Sequence, residues 1–362
     1  MILGSLMAIP PLFLFYLSWT VVSLLRPLFI VFLACVIWNL PITIQKCKLA
    51  FQGIAYIILC NDKKYRVTDV ALHAPLFQNN SSVERKSIVF IRHGESTWND
   101  TFNKGDRPMK AFIFGFIPGI VKSVAFELYL LLSGQVDSWF YDAPLSIYGL
   151  SQINKLAKFI SKPAVTPEEK KVLAMLRGEP GAGSSILVSS NLRRALSTIA
   201  IGFRDRLKQN RGERILVSPT LAEISHNPDT LSITPPYSQV NASWIEREQL
   251  PAVQDVFQNQ VDMSLHTGNK PITTNGMLRM AAFNDWVFTL KDYDNVICGG
   301  HSLYFRSFFR AFLPQSVEAP CKAKKMVNGG CVALTLMRAK DATGEWVYMI
   351  DEKSVKVIYG GF

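Results

Sequence analysis

Hydrophobic residues are concentrated at the start of the chain. Residues Met1–Leu25 contain no charged side chain, and after Arg26 the stretch Pro27–Gln45 again contains none. A helix needs about 20 apolar residues to cross the hydrocarbon core of a bilayer, so the first stretch is long enough and the second is borderline. The pattern predicts a membrane-anchoring region over residues 1–60, which includes a third apolar run, Leu49–Cys60, that is too short to span.

Arg26 decides how this region is arranged. In one continuous span its guanidinium would lie near the centre of the bilayer, at a cost of roughly 2.5–3.5 kcal/mol. Placing Arg26-Pro27 at a turn avoids this cost and predicts a helical hairpin that crosses the membrane twice or enters one leaflet, with Pro41 ending its second helix. A hairpin buried among the subunits of a membrane complex is the alternative.

The charges that follow the hairpin predict its orientation. Basic residues lie at Lys46, Lys48, Lys63, Lys64 and Arg66. They outnumber the single arginine at the turn, so the positive-inside rule places the long C-terminal part on the cytoplasmic or equivalent side of the membrane.

The rest of the chain shows a different pattern. Residues 61–84 are polar and are predicted to be a linker, and from residue 85 onward short apolar runs alternate with segments of helical period. The runs predict buried strands at Ser87–Ile91, Ile186–Ser189, Ile215–Ser218 and Val296–Gly299. The helical period predicts helices at Gly149–Ile160, Leu192–Leu207, Met277–Leu290 and Leu303–Phe312. This alternation is typical of an α/β fold, a three-layer αβα domain with a mainly parallel sheet, over residues 85–362.

Three further runs close the domain. Cys331–Met337, Glu345–Ile350 and Val355–Tyr359 predict edge strands joined by tight turns.

Composition narrows the choice of partners. The net charge is +11, from 39 Lys and Arg against 28 Asp and Glu. Such a surface attracts anions, for example phosphorylated small molecules or acidic lipid head groups. The charges are scattered and no nucleic-acid motif accompanies them, so nucleic acid is not expected as a partner.

Four short motifs follow predicted strands, at the edge of a parallel sheet where ligands bind. The first is Arg92–Glu95 (RHGE), and the second is Leu192–Ala195 (LRRA), at a helix start that favours an anion. The third is the carboxylate of Glu223, and the fourth is Gly300–Ser302 (GHS), with a second histidine at a strand end. In the first motif the arginine offers a planar fork for phosphate oxygens and the glycine allows close approach of the backbone.

These motifs, taken in order, resemble the histidine phosphatase superfamily, the phosphoglycerate mutase-like proteins. The segment Asp142–Gln152 (DAPLSIYGLSQ) is similar to the family's D-x-P-L-S/T-x-x-G-x-x-Q pattern. The resemblance covers roughly Lys86–Tyr359 and implies the family's αβα fold.

The resemblance also implies roles for individual residues. His93 would be the nucleophile that forms a phosphohistidine, and Glu223 would protonate the leaving oxygen and then activate water. Arg92, Arg194 and His301 would surround the phosphoryl oxygens and stabilise the charge of the transition state.

Other assignments from the resemblance are weaker. Arg194 is preferred to Arg193 because it precedes the alanine of the family's L-x-R-A pattern. Asn99 and Ser96 are candidate substrate contacts. No metal or other cofactor is expected, because cationic side chains take its place.

Two segments depart from the family pattern. Residues 101–140 form an insertion with a strongly apolar part, Ala111–Ser133, which Pro118 and two glycines break too often for a confident membrane span. This part is either an interfacial element that presents the site to the membrane or a lid that packs on its own domain or on the hairpin. Residues 227–275, rich in Pro, Ser and Gln, are predicted to be a cap on the substrate side.

The stretch Glu223–Asp229 (EISHNPD) bears on the reaction. It lacks the arginine with which phosphoglycerate mutases bind the substrate carboxylate, which favours a phosphatase over a mutase. We therefore expect a membrane-anchored, metal-independent phosphatase that acts on a phosphomonoester, either a small molecule or a lipid phosphate. The alternatives are a non-catalytic phosphatase-like subunit of a membrane assembly and, less favoured, a phosphomutase.

Overall fold

The computed structural model describes residues 26, 29–78, 82–103, 105 and 107–362. The first apolar stretch, residues 1–25, and Pro27 of the predicted turn lie outside the described residues. The strands are β1 (Glu84–Arg92), β2 (Ser185–Ser190), β3 (Ile215–Ser218), β4 (Val261–Asp262), β5 (Asn295–Gly300), β6 (Cys331–Lys340), β7 (Trp346–Ile350) and β8 (Lys356–Tyr359).

The helices fall into two sets by position. Those before residue 140 are α1 (Phe29–Trp38), α2 (Leu40–Leu59), α3 (Ala74–Gln78), α4 (Thr97–Phe102) and α5 (Met109–Leu132). Those that surround the sheet are α6 (Ile147–Ser161), α7 (Pro167–Arg177), α8 (Arg193–Gly202), α9 (Arg204–Gln209), α10 (Trp244–Gln249), α11 (Ala252–Asn259), α12 (Gly276–Val287), α13 (Ser302–Phe312) and α14 (Pro320–Ala323). The predicted helix Leu192–Leu207 is thus two helices, α8 and α9, divided at Phe203.

The strands form one mixed sheet. Its order is β4-β3-β2-β5-β1-β6-β7, with β8 paired to β6. The five strands from β4 to β1 are parallel to one another, whereas β6 is antiparallel to β1, and β7 and β8 are antiparallel to β6. The prediction of a mainly parallel sheet is therefore wrong for the C-terminal strands. The short connection between β6 and β7 cannot hold a crossover, which parallel neighbours require.

Helices cover both faces of the sheet. Side chains alternate along β1, so that Val89 and Ile91 face a core formed with α6, α7, α8 and α11. Ile88 and Phe90 face the opposite core, which is rich in aromatic rings from α12 and α13. The three-layer arrangement leaves the ends of the parallel strands as the place where loops converge.

Two helices are apolar and long enough to cross a membrane, by length and composition alone. They are α2, with a mean hydropathy of 1.2, and α5, with a mean hydropathy of 1.7. Pro41 lies in the first turn of α2 rather than ending a helix, because a proline costs no hydrogen bond there. The insertion forms one continuous helix of 24 residues in spite of Pro118, so the expected break is absent.

These two helices contact one another through polar groups. The Nζ of Lys46, on α2, donates to Oε1 of Glu127, on α5, at 2.6 Å and to the carbonyl of Asp137 at 2.7 Å. The side chain of Asn39 donates to the carbonyl of Leu132 at 2.9 Å. Each helix keeps an exposed apolar face: Phe51 and Ile58 are among the exposed residues of α2, and Ile113, Phe114, Ile117 and Val121 are among those of α5.

Candidate active site

The predicted motifs lie at one edge of the sheet, where the parallel strands β1, β2 and β5 end side by side. His93 directly follows β1 and His301 directly follows β5. The backbone N–H of His93 donates to the carbonyl of Gly300, the last residue of β5, at 3.0 Å. Ser190 ends β2, and Glu223 lies just beyond β3. The strand order thus brings two histidines together from distant parts of the chain.

The ring of His93 is buried, with 4% of the residue exposed. Its Nδ1 lies 2.6 Å from the carbonyl oxygen of Gly94, and since a carbonyl only accepts, Nδ1 carries the proton. Burial, and then the charges of Arg194 and Arg92, hold the pKa of His93 well below its ordinary value. The ring is therefore neutral near neutral pH, with its lone pair on Nε2.

Close backbone packing positions the His93 loop. A Cβ on Gly94 would lie 2.7 Å from the carbonyl oxygen of Gly149, and a Cβ on Gly149 would lie 2.0 Å from that of Glu95. Neither position admits a side chain. The N–H of Glu95 donates to Oε1 of Gln152 at 2.8 Å. The glycine and the glutamine of the D-x-P-L-S/T-x-x-G-x-x-Q pattern thus hold the histidine loop against α6.

His301 faces His93 across the site. The two ring centroids are 5.1 Å apart, and His301 is completely buried. Its Nε2 is hydrogen-bonded to Oγ of Ser190 at 2.8 Å, while its buried Nδ1 has no hydrogen-bond partner in the part of the chain that the structure describes. Burial, and then the charge of Arg194, hold the pKa of His301 well below its ordinary value. Two neutral imidazoles therefore lie beside a buried guanidinium.

The two arginines that begin α8 have different surroundings. Arg193 pairs with Asp137 and lies 3.6 Å from Asp142, and its N–H donates to Oδ1 of Asp142 at 2.8 Å. Arg194 is the one whose charge acts on both histidines. Arg193 thus lies in an ion cluster with two aspartates, whereas Arg194 supplies positive charge to the two imidazoles.

Arg92 approaches the site from the end of β1. Its Nη1 donates to the carbonyl of Met326, and its charge contributes to the low pKa of both histidines. The loop that accepts this bond also supplies Asn328, whose side chain donates to the carbonyl of His93 at 3.1 Å. Arg92 therefore contributes positive charge to the site and ties the histidine loop to the segment before β6.

The carboxylate of Glu223 contacts the first turn of α13, the helix that begins directly after His301. Its Oε1 accepts the backbone N–H of Tyr304 at 2.9 Å and that of Ile224 at 2.9 Å, and its Oε2 accepts that of Leu303 at 3.4 Å. Two of these donors, Leu303 and Tyr304, belong to the first turn of α13, whose N–H groups have no partner within the helix. The carboxylate is thus fixed next to the second histidine.

A second carboxylate, which the sequence analysis did not single out as a site residue, lies in the same pocket. Oδ2 of Asp229 is 3.1 Å from Nη2 of Arg194, and its carbonyl accepts from Nη1 at 2.8 Å. Burial, and the nearby charge of Glu223, raise the pKa of Asp229. Asp229 belongs to the EISHNPD stretch, but nothing in that stretch distinguishes a buried aspartate from a solvated one.

Two predicted substrate contacts have other partners. Oγ of Ser96 accepts the N–H of Asn99 at 3.2 Å and so caps the start of α4. The side chain of Asn99 accepts from Asn103 at 2.8 Å. The structure therefore places Ser96 and Asn99 at the α4 N-terminus and brings His93, His301, Arg92, Arg194 and Glu223 together at the strand ends.

Comparison with known proteins gives limited information. No family model matches the chain, and no curated protein matches its sequence. Among solved structures, a mycobacterial glucosyl-3-phosphoglycerate phosphatase complexed with VO3 is 16% identical, with a TM-score of 0.34, over 76% of this chain and 100% of that one. A phosphoserine phosphatase from Entamoeba histolytica is 14% identical, with a TM-score of 0.34, over 76% and 97% of the two chains.

A third structure, the ecdysone phosphate phosphatase from Bombix mori, is 16% identical, with a TM-score of 0.33, over 72% of this chain and 92% of that one. At such low values a likeness assigns neither a family nor an activity to this chain. The site geometry is the basis for the function proposed below.

Proposed function

We propose that this protein is a membrane-anchored phosphomonoesterase that works through a phosphohistidine on His93, without a metal. The observation that carries the proposal is the state of the His93 ring, whose Nδ1–H is fixed on Gly94 while Nε2 keeps its lone pair. The neighbouring His301, together with Arg194 and Arg92, whose charges lower the pKa of His93, supplies the polar and cationic surroundings that a phosphoryl group needs.

The first step is a displacement at phosphorus. Nε2 of His93 attacks, a P–N bond forms and the P–O bond to the leaving group breaks in line. The leaving oxygen takes a proton from the carboxyl group of Glu223, so that it departs as an alcohol. Arg92 and Arg194 balance the charge on the equatorial oxygens.

The second step restores the enzyme. The carboxylate of Glu223 takes a proton from water as that water attacks phosphorus, and the P–N bond breaks with the electron pair returning to Nε2 of His93. Inorganic phosphate is released and both groups return to their starting state.

The exposed apolar faces of α2 and α5 support the membrane part of the proposal. Both helices are long and apolar enough to span a bilayer, and α5 lies between the segments that carry His93 and Asp142. We propose that the site works at the membrane surface, on a small-molecule or lipid phosphate.

One observation favours the alternative of a non-catalytic, phosphatase-like subunit. Arg194 is already paired with the carboxylate of Asp229. This ion pair competes with the phosphoryl group for the guanidinium that would bind it. An enzyme must exchange that partner for its substrate in each turnover, whereas a structural subunit has no such requirement.

The test is to trap the intermediate. The detergent-solubilised full chain is mixed with p-nitrophenyl phosphate labelled at phosphorus, quenched in base, and analysed for acid-labile, base-stable phosphohistidine. We expect labelled wild type, no label and no turnover in His93→Ala, and normal turnover in the control His73→Ala, with no effect of a chelator. A folded wild type that neither turns over nor labels between acid and neutral pH would refute the enzyme and leave the non-catalytic subunit.

A further inference from the structure

A buried cluster of three charged side chains lies beside the proposed acid–base residue. Asp62 pairs with Lys270, whose Nζ is 2.5 Å from Oδ2, and with Arg279, whose Nη1 contacts Oδ1. The side chains of Asp62 and Lys270 are each only 1% exposed. Charges so deeply buried are retained at a cost in desolvation, and they leave the fold strongly destabilised if one partner is removed.

The side chains of the cluster also form hydrogen bonds with the backbone of the loop that contains Glu223. Nζ of Lys270 donates to the carbonyl of Glu223 at 2.5 Å and to that of Ser225 at 2.6 Å. Nη2 of Arg279 donates to the carbonyl of Ala222 at 3.1 Å. In return, Oδ2 of Asp62 accepts the backbone N–H of Ser225 at 2.9 Å.

Glu223 is therefore held from two sides. Its carboxylate is fixed by N–H groups of α13, as described above, and the backbone on either side is fixed by the cluster. Hydrogen bonds to charged groups are stronger than those between neutral groups, so these bonds favour one conformation of the short loop. A shift of this loop by a fraction of an ångström would change the distance from the carboxyl group to a leaving oxygen.

The position of Asp62 in the chain connects this loop to the membrane helix. Asp62 is the third residue after Leu59, the last residue of α2. The carbonyl of Asp62 accepts from the N–H of Gly276 at 2.9 Å, and α2 itself packs against the Pro228–Thr230 turn that contains Asp229. The chain thus passes from an exposed apolar helix into the buried cluster within one turn.

We infer that Asp62, Lys270 and Arg279 are positioning residues for proton transfer by Glu223, so that a residue three positions after the apolar helix α2 sets the geometry of the acid–base group. This inference rests on the proposed function. It goes beyond that function because it assigns a role to a part of the chain that contacts no substrate.

Leaving-group dependence tests the inference. p-Nitrophenolate leaves with little need for a proton, whereas a simple alkyl phosphate such as glycerol 3-phosphate requires one. In the full-length Asp62→Asn variant we expect kcat/KM for the alkyl phosphate to fall about 100-fold and kcat/KM for p-nitrophenyl phosphate to fall by no more than about threefold. The quantity kcat/KM reports the step that forms the phosphohistidine.

A matched control separates positioning from general destabilisation. Arg206, which is buried, and Glu213, which is partly buried, form another ion pair between α9 and the segment just before β3, with Nε of Arg206 2.9 Å from each carboxylate oxygen. Glu213→Gln should lower the melting temperature and leave the ratio of the two kcat/KM values unchanged. An unchanged ratio in a folded Asp62→Asn variant would overturn the inference.

A milder variant keeps the test open if Asp62→Asn does not fold. Arg279→Lys retains a counter-charge for Asp62 but lacks the second guanidinium nitrogen that reaches the carbonyl of Ala222. It should lower the same ratio by about tenfold, and a ratio equal to that of wild type would overturn the inference. Failure of the proposed function looks different, because wild type would then hydrolyse neither substrate and would form no phosphohistidine.

Discussion

The site at the strand ends and the two apolar helices, α2 and α5, differ in which side chains they bury and which they expose. At the site, charged and titratable side chains are buried and nearly all are held by named partners, as with His93 on Gly94 and Arg194 on Asp229. On α5 the exposed residues are apolar, with Phe114 79% exposed, and only Ser123 and Leu130 are buried. A protein surrounded only by water would favour the reverse.

The contrast is consistent with the proposed function, which places one chain in two different environments. Buried charge is tolerated where a charged ligand is to be bound and transformed, because low dielectric strengthens each interaction with it. Exposed apolar surface of this extent is tolerated where lipid replaces water. Substitutions in either region test whether the two regions differ as proposed, and they are given below in order of decreasing expected effect.

Exchanging the two neighbouring arginines of α8 for glutamine gives the largest expected effect. Arg194→Gln should lower kcat/KM about 10³-fold, because the transition state loses a buried cation. Arg193→Gln should lower the melting temperature more, since it leaves Asp142 without this cation and Asp137 with Arg247 alone, and should change kcat/KM by less than about tenfold. Steady-state kinetics and thermal melting check both. Equal losses of activity at equal stability would mean that Arg194 has no special role.

The second prediction concerns the apolar face of α5. In a chain lacking residues 1–38, the double substitution Phe114→Asp and Ile117→Asp should weaken binding to phosphatidylcholine vesicles by about 100-fold, because each charge opposes burial in lipid. The control, Val165→Asp, changes an exposed apolar residue between α6 and α7 and should have no effect. Vesicle co-sedimentation measures this. If the parent truncation fails to bind vesicles, α5 is not a membrane element and the comparison fails.

Much of the site could be predicted because its residues follow strands. Strand-end placement of His93 and His301 required only that buried apolar runs be recognised, since parallel strands end at a common edge. Arg194 came from the resemblance, and the geometry now distinguishes it from Arg193 by the ion pairs that each forms.

The remaining features depend on long-range packing. Asp62 lies in a polar segment that reads as a linker, and its burial depends on Lys270 and Arg279, far away in the sequence. Pro41 was expected to end a helix because proline breaks helices in their interior, but it lies at a helix start. The antiparallel pairing of β6 with β1 likewise follows from tertiary contacts rather than from the period of either strand.

The third prediction uses the low pKa of the two site histidines. Each folded-state pKa lies below the ordinary value, so the unfolded chain binds protons first as the pH falls. The contribution of the two histidines to the free energy of unfolding is therefore fully present above about pH 6.5. Below that pH it is lost by about 1.4 kcal/mol per pH unit for each histidine, until the folded-state pKa of that histidine is reached. The raised pKa of Asp229 acts with the opposite sign, since it favours the fold at low pH.

The difference between variant and wild type isolates the histidine contribution. His93→Gln should reduce the slope of unfolding free energy against pH below about pH 6.5 by about 1.4 kcal/mol per pH unit, as measured by denaturant unfolding of the solubilised full chain. Parallel slopes for wild type and variant would show that His93 takes up its proton equally well in the folded and the unfolded chain, so that burial does not lower its pKa.

The smallest effect is expected where the site meets solvent. Lys325 is exposed and lies one residue before Met326, whose carbonyl holds Arg92. Burial of part of its side chain, and then the like charge of Arg92, lower the pKa of Lys325. The ammonium group of Lys325 and the guanidinium of Arg92 thus contribute to one positive field, which attracts anions. Lys325→Gln should raise the inhibition constant of inorganic phosphate about threefold at low salt and have no effect at high salt, because exposed charges are screened. Lys324→Gln is the control, since Lys324 is one residue more distant in the sequence than Lys325 from Met326, the residue that Arg92 contacts. An unchanged inhibition constant in Lys325→Gln at low salt would place the source of phosphate affinity entirely within the buried site and remove any contribution from its rim.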